Sequence, residues 1–132
     1  PLTSQALRLL ERMNMISGRS EFIFPSDRSN RKPYNPQSAN MALKRMGFHG
    51  KLVSHGLRAL ASTTLNEAGF DGDIIEAALA HVDTNTVRAA YNRAQYIERR
   101  KVMMEWWSER IETAALTGEI TPVIFGNVRE IS

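Results

Sequence analysis

The chain has 132 residues, 42% of them apolar, which is enough for one domain with a hydrophobic core. The absence of cysteine excludes a disulfide scaffold and any thiolate metal site. A formal net charge of +3 favours an acidic partner, and no apolar run approaches the roughly 20 residues of a membrane span.

The basic residues are segregated along the sequence. No acidic residue occurs between Arg28 and Asn66. The basic residues in that stretch are Arg28, Arg31, Lys32, Lys44, Arg45, Lys51 and Arg58. Such segregation is typical of a surface that contacts phosphate groups, and the alternative is an ordinary solvated basic face.

The first third of the chain predicts a helix followed by irregular structure. The helix is capped by Thr3 or Ser4 and ends before Gly18. Residues 21–25 combine aromatic and β-branched side chains with a closing proline, which predicts a brief extended segment. Residues 26–36 are polar and basic with two prolines and two asparagines, so they predict a loop.

A second helix is predicted over residues 36–46, with proline in its first turn. Three of its side chains are expected to turn partly inward: Met41, Leu43 and Met46. Gly47 and Gly50 then bracket a turn.

The strongest amphipathic helix is predicted to follow Ser54 as its N-cap and to stop at Gly69. Its inward face comprises Leu57, Leu60, Ala61, Thr64, Leu65 and Ala68. His55 and Arg58 fall in its first turn, where free backbone N–H groups and the helix dipole favour an anion. A phosphate bound there would contact the helix end and both side chains.

Three more helices are predicted. A short one, capped by Asp71 or Asp73, covers residues 74–79, and another, capped by Asp83 or Thr84, carries Tyr91. The last runs from about residue 96 to 114 and is broken by Gly118. Its inward side chains are Tyr96, Met103, Met104, Trp107 and Ile111. Residues 120–125 are apolar and β-branched but have no obvious partner strand.

Four residues form a set suited to metal-free phosphoryl transfer: His55, Arg58, His81 and Tyr91. One guanidinium and two imidazoles can hold a phosphate in its transition state, and a phenol can attack it. Each residue also has an ordinary alternative: a helix-end histidine, a surface cation or a core tyrosine. Their order and spacing, rather than any one of them, favour the catalytic interpretation.

Four segments carry a resemblance to a known family. Residues 54–62 match its His-x-Leu-Arg box, residues 79–81 its Leu-Gly-His box with alanine for glycine, and residues 87–92 its nucleophile segment. Residues 103–107 resemble the helix that follows. From residue 1 to about 114 the chain therefore resembles the C-terminal catalytic region of the tyrosine recombinases, or phage integrases, especially the prophage and genomic-island type.

The resemblance implies a mainly α fold: the helical catalytic core of a tyrosine recombinase with at most a short β element, truncated on its N-terminal side. Family members carry a further arginine and a hairpin lysine N-terminal to the segment seen here. Residues 1–115 are expected to form the C-terminal part of the integrase catalytic domain, and residues 116–132 a C-terminal tail.

The implied function is site-specific DNA recombination, for integration or excision of a mobile element, through a 3′-phosphotyrosyl intermediate without metal or cofactor. Tyr91 would attack the phosphate, Arg58 would neutralise its oxygens, His55 would position it and assist proton transfer, and His81 would donate a hydrogen bond. Backbone contacts with DNA are expected from Arg31, Lys32, Lys44, Arg45 and Lys51.

The expected partner is double-stranded DNA, bound by a tetramer of the full-length protein, with no membrane and no small-molecule substrate. The expected location is the bacterial cytoplasm, at the nucleoid during action. The isolated chain is expected to cleave DNA poorly or not at all, because its site is incomplete.

Two alternatives belong to other classes. One is a helical DNA-binding module without catalysis. The other is a metal-dependent hydrolase, which the three histidines disfavour because none is paired at i, i+4.

Among the tyrosines, Tyr96 competes with Tyr91 as nucleophile but suits a packing role, and Tyr34 precedes the His-x-x-Arg box. The helix of Tyr91 is predicted to be short and flanked by polar residues, so residues 82–95 are expected to be mobile or displaced without DNA.

Overall fold

The computed structural model describes residues 1–79 and 86–119, with only the backbone of residues 86–95. Within these residues the fold is mainly helical with one short two-stranded sheet, as predicted. The elements are α1 (Ser4–Ser17), β1 (Pro25–Ser26), β2 (Ser29–Pro33), α2 (Ser38–Leu43), a π-helical turn (Lys44–Phe48), α3 (Ser54–Glu67), α4 (Gly72–Ala78) and α5 (Thr86–Thr117).

The chain divides into two compact units. One comprises residues 4–57, and the other comprises residues 1–3 together with the chain from residue 58 onward. We call them the hairpin unit and the core unit. The boundary passes through α3, whose backbone is continuous from Ser54 to Glu67.

In the hairpin unit, α1 starts at Ser4 and ends at Ser17, just before Gly18, as predicted. The buried Ser17 hydroxyl lies 3.0 Å from the Met13 carbonyl oxygen and 2.7 Å from that of Ile23. This hydroxyl therefore joins the end of α1 to the segment that leads into the hairpin.

The predicted loop over residues 26–36 was wrong in part, because β2 lies within it. β2 pairs antiparallel with β1, and the Tyr34 N–H extends the hairpin by donating to the Phe24 carbonyl oxygen at 2.8 Å. From residue 30 to residue 33 every side chain of β2 is exposed. The strand therefore depends on backbone hydrogen bonds and lacks the alternation of apolar residues that predicts a half-buried strand.

The second helix is shorter than predicted. It ends at Leu43 and passes into the π-helical turn, where Gly47 has a φ of 90°. Met41 and Met46 are 46% and 68% exposed, so their partly inward placement was wrong. The wider turn changes the helical phase at Met46, whereas Met41 lies before it on α2. Leu43 is partly buried as expected. Gly50, with a φ of 72°, confirms the turn bracketed by two glycines.

Only the C-terminal half of the α3 stripe is buried. Leu65 is 2% exposed, whereas Leu57 and Leu60 are 47% and 54% exposed, contrary to prediction. The other buried members of the stripe are Ala61, Thr64 and Ala68. The helix ends before Gly69, whose φ of 83° is the left-handed conformation expected after a helix.

The core unit packs α3, α4 and α5 around one apolar cluster. Its buried members are Leu65, Ile74, Ile75 and Met103. Asp71 caps α4 as predicted, because its carboxylate accepts the Asp73 N–H at 2.9 Å. In the same unit, the Thr3 and Ser108 hydroxyls are hydrogen-bonded at 2.8 Å.

α5 is a single helix of 32 residues, so the prediction of two separate helices was wrong. No proline or glycine interrupts it, and it ends before Gly118 as predicted. Tyr96, Met104 and Trp107 pack on the cluster as expected, but Ile111 is 50% exposed. The candidate caps at residues 83 and 84 and the apolar residues 120–125 lie outside the described residues.

Trp106 also packs against the core, which the sequence pattern did not indicate. Its ring meets Phe70 edge to face at 5.3 Å, and the Arg110 guanidinium lies 5.5 Å from its centre. Across the described part of the chain, none of the helices combines the length and apolarity that spanning a membrane requires.

Candidate active site

The first turn of α3 carries two of the predicted catalytic residues. His55 is exposed and Arg58 is half-buried, and the two lie three residues apart on the same helix. Residues at this spacing are neighbours on a helix surface. The structure therefore places an imidazole and a guanidinium at the start of one helix, as the sequence predicted.

Ser54 has a different role from the one expected. It is the first helical residue, and both its N–H and its hydroxyl donate to the Asn40 side-chain oxygen, at 2.8 and 2.9 Å. The prediction that Ser54 caps its own helix was therefore wrong. Sequence reasoning also missed Asn40, because a contact between residues 14 positions apart leaves no periodic signal.

The surroundings of this turn favour an anion. The first turn of α3 contains no acidic residue, and the sequence has none from residue 28 to residue 66. The helix dipole adds partial positive charge at the same end. A phosphate oxygen approaching the α3 start would therefore meet positive charge from the backbone and from side chains.

The five residues predicted to contact DNA all belong to the hairpin unit. Two lie on β2, two in the π-helical turn and one in the turn after it, and all five are exposed: Arg31, Lys32, Lys44, Arg45 and Lys51. Exposed cations on one compact unit can contact a nucleic-acid backbone without the cost of desolvating a buried charge.

The other two predicted catalytic residues are His81 and Tyr91. His81 lies outside the described residues, and the side chain of Tyr91 does as well, although its backbone belongs to α5. The predicted convergence of His55, Arg58 and His81 therefore stays a prediction. The predicted displacement of residues 82–95 also lies outside the described residues, apart from the helical backbone from Thr86 onward.

The other two tyrosines differ in their surroundings. Tyr96 is half-buried and packs against the core cluster, which agrees with its predicted packing role. Tyr34 is 41% exposed and directly follows β2. A side chain packed into a core is a poor nucleophile, because moving it to a substrate would expose apolar surface.

Within the ranges that the structure describes, no group of three histidine or acidic side chains could hold a metal ion. The metal-dependent alternative thus finds no ligand set in this part of the chain. His49 and His55, both exposed, are the two histidines in those ranges.

Comparison with known proteins gives a consistent result. A model described as the phage integrase family matches residues 1–98. Prophage integrase IntA of Escherichia coli (strain K12) is 54% identical over 129 residues, covering 98% of this chain and 31% of that protein. The integrase of Enterobacteria phage P4 is 37% identical over 116 residues, covering 85% of this chain and 26% of that protein.

Prophage integrase IntZ of the same Escherichia coli strain is 38% identical over 124 residues, covering 93% of this chain and 30% of that protein. The chain thus spans less than a third of the length of these relatives. No solved structure matches it significantly.

Proposed function

Because the chain belongs to the phage integrase family, we propose that it forms the C-terminal part of the catalytic domain of a site-specific DNA recombinase. Residues 1–115 belong to that domain and residues 116–132 form a tail. The family match over residues 1–98 supports the first assignment, and α5 ends at Thr117, two residues beyond the proposed boundary. The recombinase inserts a mobile element into bacterial DNA or excises it.

The observation that carries the proposal is the pair His55 and Arg58 in the first turn of α3. Arg58 is half-buried on this turn, and its planar guanidinium presents donors in a fixed geometry. It can donate two parallel hydrogen bonds to the non-bridging oxygens of one phosphate. His55, more exposed, reaches the same end of the helix and can position the phosphate or move a proton.

The nucleophile in this proposal is Tyr91. Its phenol oxygen gives up its proton, with His55 assisting the transfer, and forms a bond to the scissile phosphorus. The bond from phosphorus to the 5′ oxygen breaks, and the 5′ oxygen takes up a proton. The 5′-hydroxyl of a second strand reverses the step on a new partner. The energy of the phosphodiester bond is kept in the phosphotyrosyl link, so no nucleotide is consumed. His81 donates a hydrogen bond to the pentacoordinate state.

The packing of Tyr96 supports the choice of Tyr91. Tyr96 is held against the core cluster, which gives it a structural role. Tyr91 lies five residues earlier on α5, within the segment that resembles the family's nucleophile motif. The assignment therefore rests on motif position and on the structural role of its competitor.

The partner is double-stranded DNA, and the working form is a tetramer of the full-length protein on DNA. The exposed cations of the hairpin unit hold the phosphate backbone with little regard to sequence. Binding through such contacts weakens steeply as salt is raised, because counterions are released from the DNA.

The test is covalent capture of the full-length protein on a nicked duplex that carries the attachment core of its element, referred to below as the nicked duplex. The wild-type protein and Tyr96→Phe form a denaturant-resistant adduct. Tyr91→Phe forms none yet binds the duplex with unchanged affinity. An adduct with Tyr91→Phe but not with Tyr96→Phe refutes the nucleophile assignment. Binding without any adduct from the wild-type protein identifies a non-catalytic DNA-binding module instead.

A further inference from the structure

We propose that Asn40 is a positioning residue for the recombination site. Its side-chain oxygen fixes the start of α3, and through Ser54 it fixes the place of His55. The inference rests on the proposed function, because it concerns the geometry of the residues assigned to that reaction.

The contact that carries the proposal is a double hydrogen bond. The Asn40 oxygen accepts the Ser54 backbone N–H at 2.8 Å and the Ser54 hydroxyl at 2.9 Å, in partly buried surroundings. Both distances are within the normal range for strong protein hydrogen bonds. One acceptor thus holds the main chain and the side chain of the same residue, which fixes its orientation as well as its position.

The source of this acceptor is unusual for a helix start. The free N–H groups of a first turn are commonly satisfied by the side chain of the residue directly before the helix. Here the acceptor belongs to α2, 14 residues earlier. A local cap would stabilise the helix without fixing its place, whereas Asn40 ties the start of α3 to a second helix of the same hairpin unit.

The position of the α3 start matters for the reaction because His55 directly follows Ser54. A displacement of about 1 Å in a group that positions a reacting phosphate can cost about a hundredfold in rate. Asn40 itself need not touch DNA for this effect. Its removal frees the first turn of α3, which carries His55, to shift.

The test is a double-mutant cycle of Asn40→Ala and Ser54→Ala in the full-length protein. The rate of adduct formation is measured at saturating nicked duplex, at a temperature where melting curves show every variant folded. Asn40→Ala slows the rate by about 10- to 100-fold with DNA affinity changed much less. Ser54→Ala, which keeps the backbone bond, slows it by a few-fold. The double variant is no slower than Asn40→Ala alone, because both act through one contact.

Two further variants separate positioning from general damage. Ser54→Thr keeps both donors and holds its rate within about threefold of the wild-type protein. Asn66→Ala removes an exposed asparagine whose amide donates at 2.8 Å to a carbonyl of its own helix, and it leaves the rate unchanged. Equal rates for Asn40→Ala and the wild-type protein, or fully additive effects in the cycle, overturn the positioning role. Absence of any adduct from the wild-type protein overturns the proposed function, and the positioning role with it.

Discussion

Two leucines on α3 offer a direct test of which half of the helix is buried in the hydrophobic core. Leu65 is 2% exposed and belongs to the core cluster, whereas Leu60 is 54% exposed, although the amphipathic pattern predicts both to face inward. The same substitution, leucine to alanine, can be made at both positions of one helix. The two variants therefore differ mainly in how deeply the replaced leucine was buried.

The expected magnitudes follow from these exposures. Truncating a fully buried leucine removes its transfer free energy and leaves a cavity, so Leu65→Ala lowers the free energy of unfolding by about 2–5 kcal/mol. Leu60 has about half of its surface in water, and burying a whole leucine is worth about 1.5–3 kcal/mol, so Leu60→Ala costs roughly 1 kcal/mol or less. Against a total stability of about 5–15 kcal/mol, the first loss is severe and the second is mild.

Urea unfolding of the 132-residue chain, followed by tryptophan fluorescence, measures both losses. Trp106 and Trp107 are its only tryptophans, and both pack against the cluster that contains Leu65. With a slope of about 2 kcal/mol per molar urea, Leu65→Ala lowers the midpoint by about 1–2.5 M, and Leu60→Ala by about 0.5 M or less. Equal shifts, or a larger shift for Leu60→Ala, would refute the assignment of the core to the C-terminal half of α3.

Three other predictions concern charge, capping and backbone conformation. Lys44→Ala in the full-length protein reduces the slope of log affinity for DNA against log salt by about 1, whereas Lys101→Ala, on α5, leaves it unchanged. Asp71→Ala removes the α4 cap and lowers stability by about 1 kcal/mol in thermal unfolding. Gly69→Ala costs about 1–2 kcal/mol because its φ is 83°, whereas Gly72→Ala, at the start of α4 with open space around it, is neutral or slightly stabilising in the same assay.

The parts of the fold that the sequence predicted correctly depend on local signals. α1 ends before Gly18, α3 before Gly69 and α5 before Gly118, where glycine favours the end of a helix. Asp71 caps α4 through a contact two residues away. In each case the residues that decide the structure are neighbours in the chain.

The incorrect predictions concern features that depend on residues that are not neighbours in the chain. β2 has exposed polar side chains, so its pairing is not visible in the hydrophobic pattern. The N-terminal half of the α3 stripe has the periodicity of a buried face, but periodicity does not reveal that Leu60 stays exposed. The same distinction holds for the candidate site. The placement of His55 and Arg58 at a helix start follows from local signals, whereas the hydrogen bond from Ser54 to Asn40 depends on contact between two helices.

The continuity of α5 has a mechanical consequence for the proposed nucleophile. A helix of 32 residues is about 48 Å long, and along it Tyr91 and the buried Met103 are separated by about 18 Å. To swing residues 86–95 independently, the helix would have to break about four backbone hydrogen bonds, at roughly 2–6 kcal/mol in total. In the proposed mechanism α5 would therefore move as one helix, and a force exerted by DNA attached to Tyr91 would reach the packing around Met103.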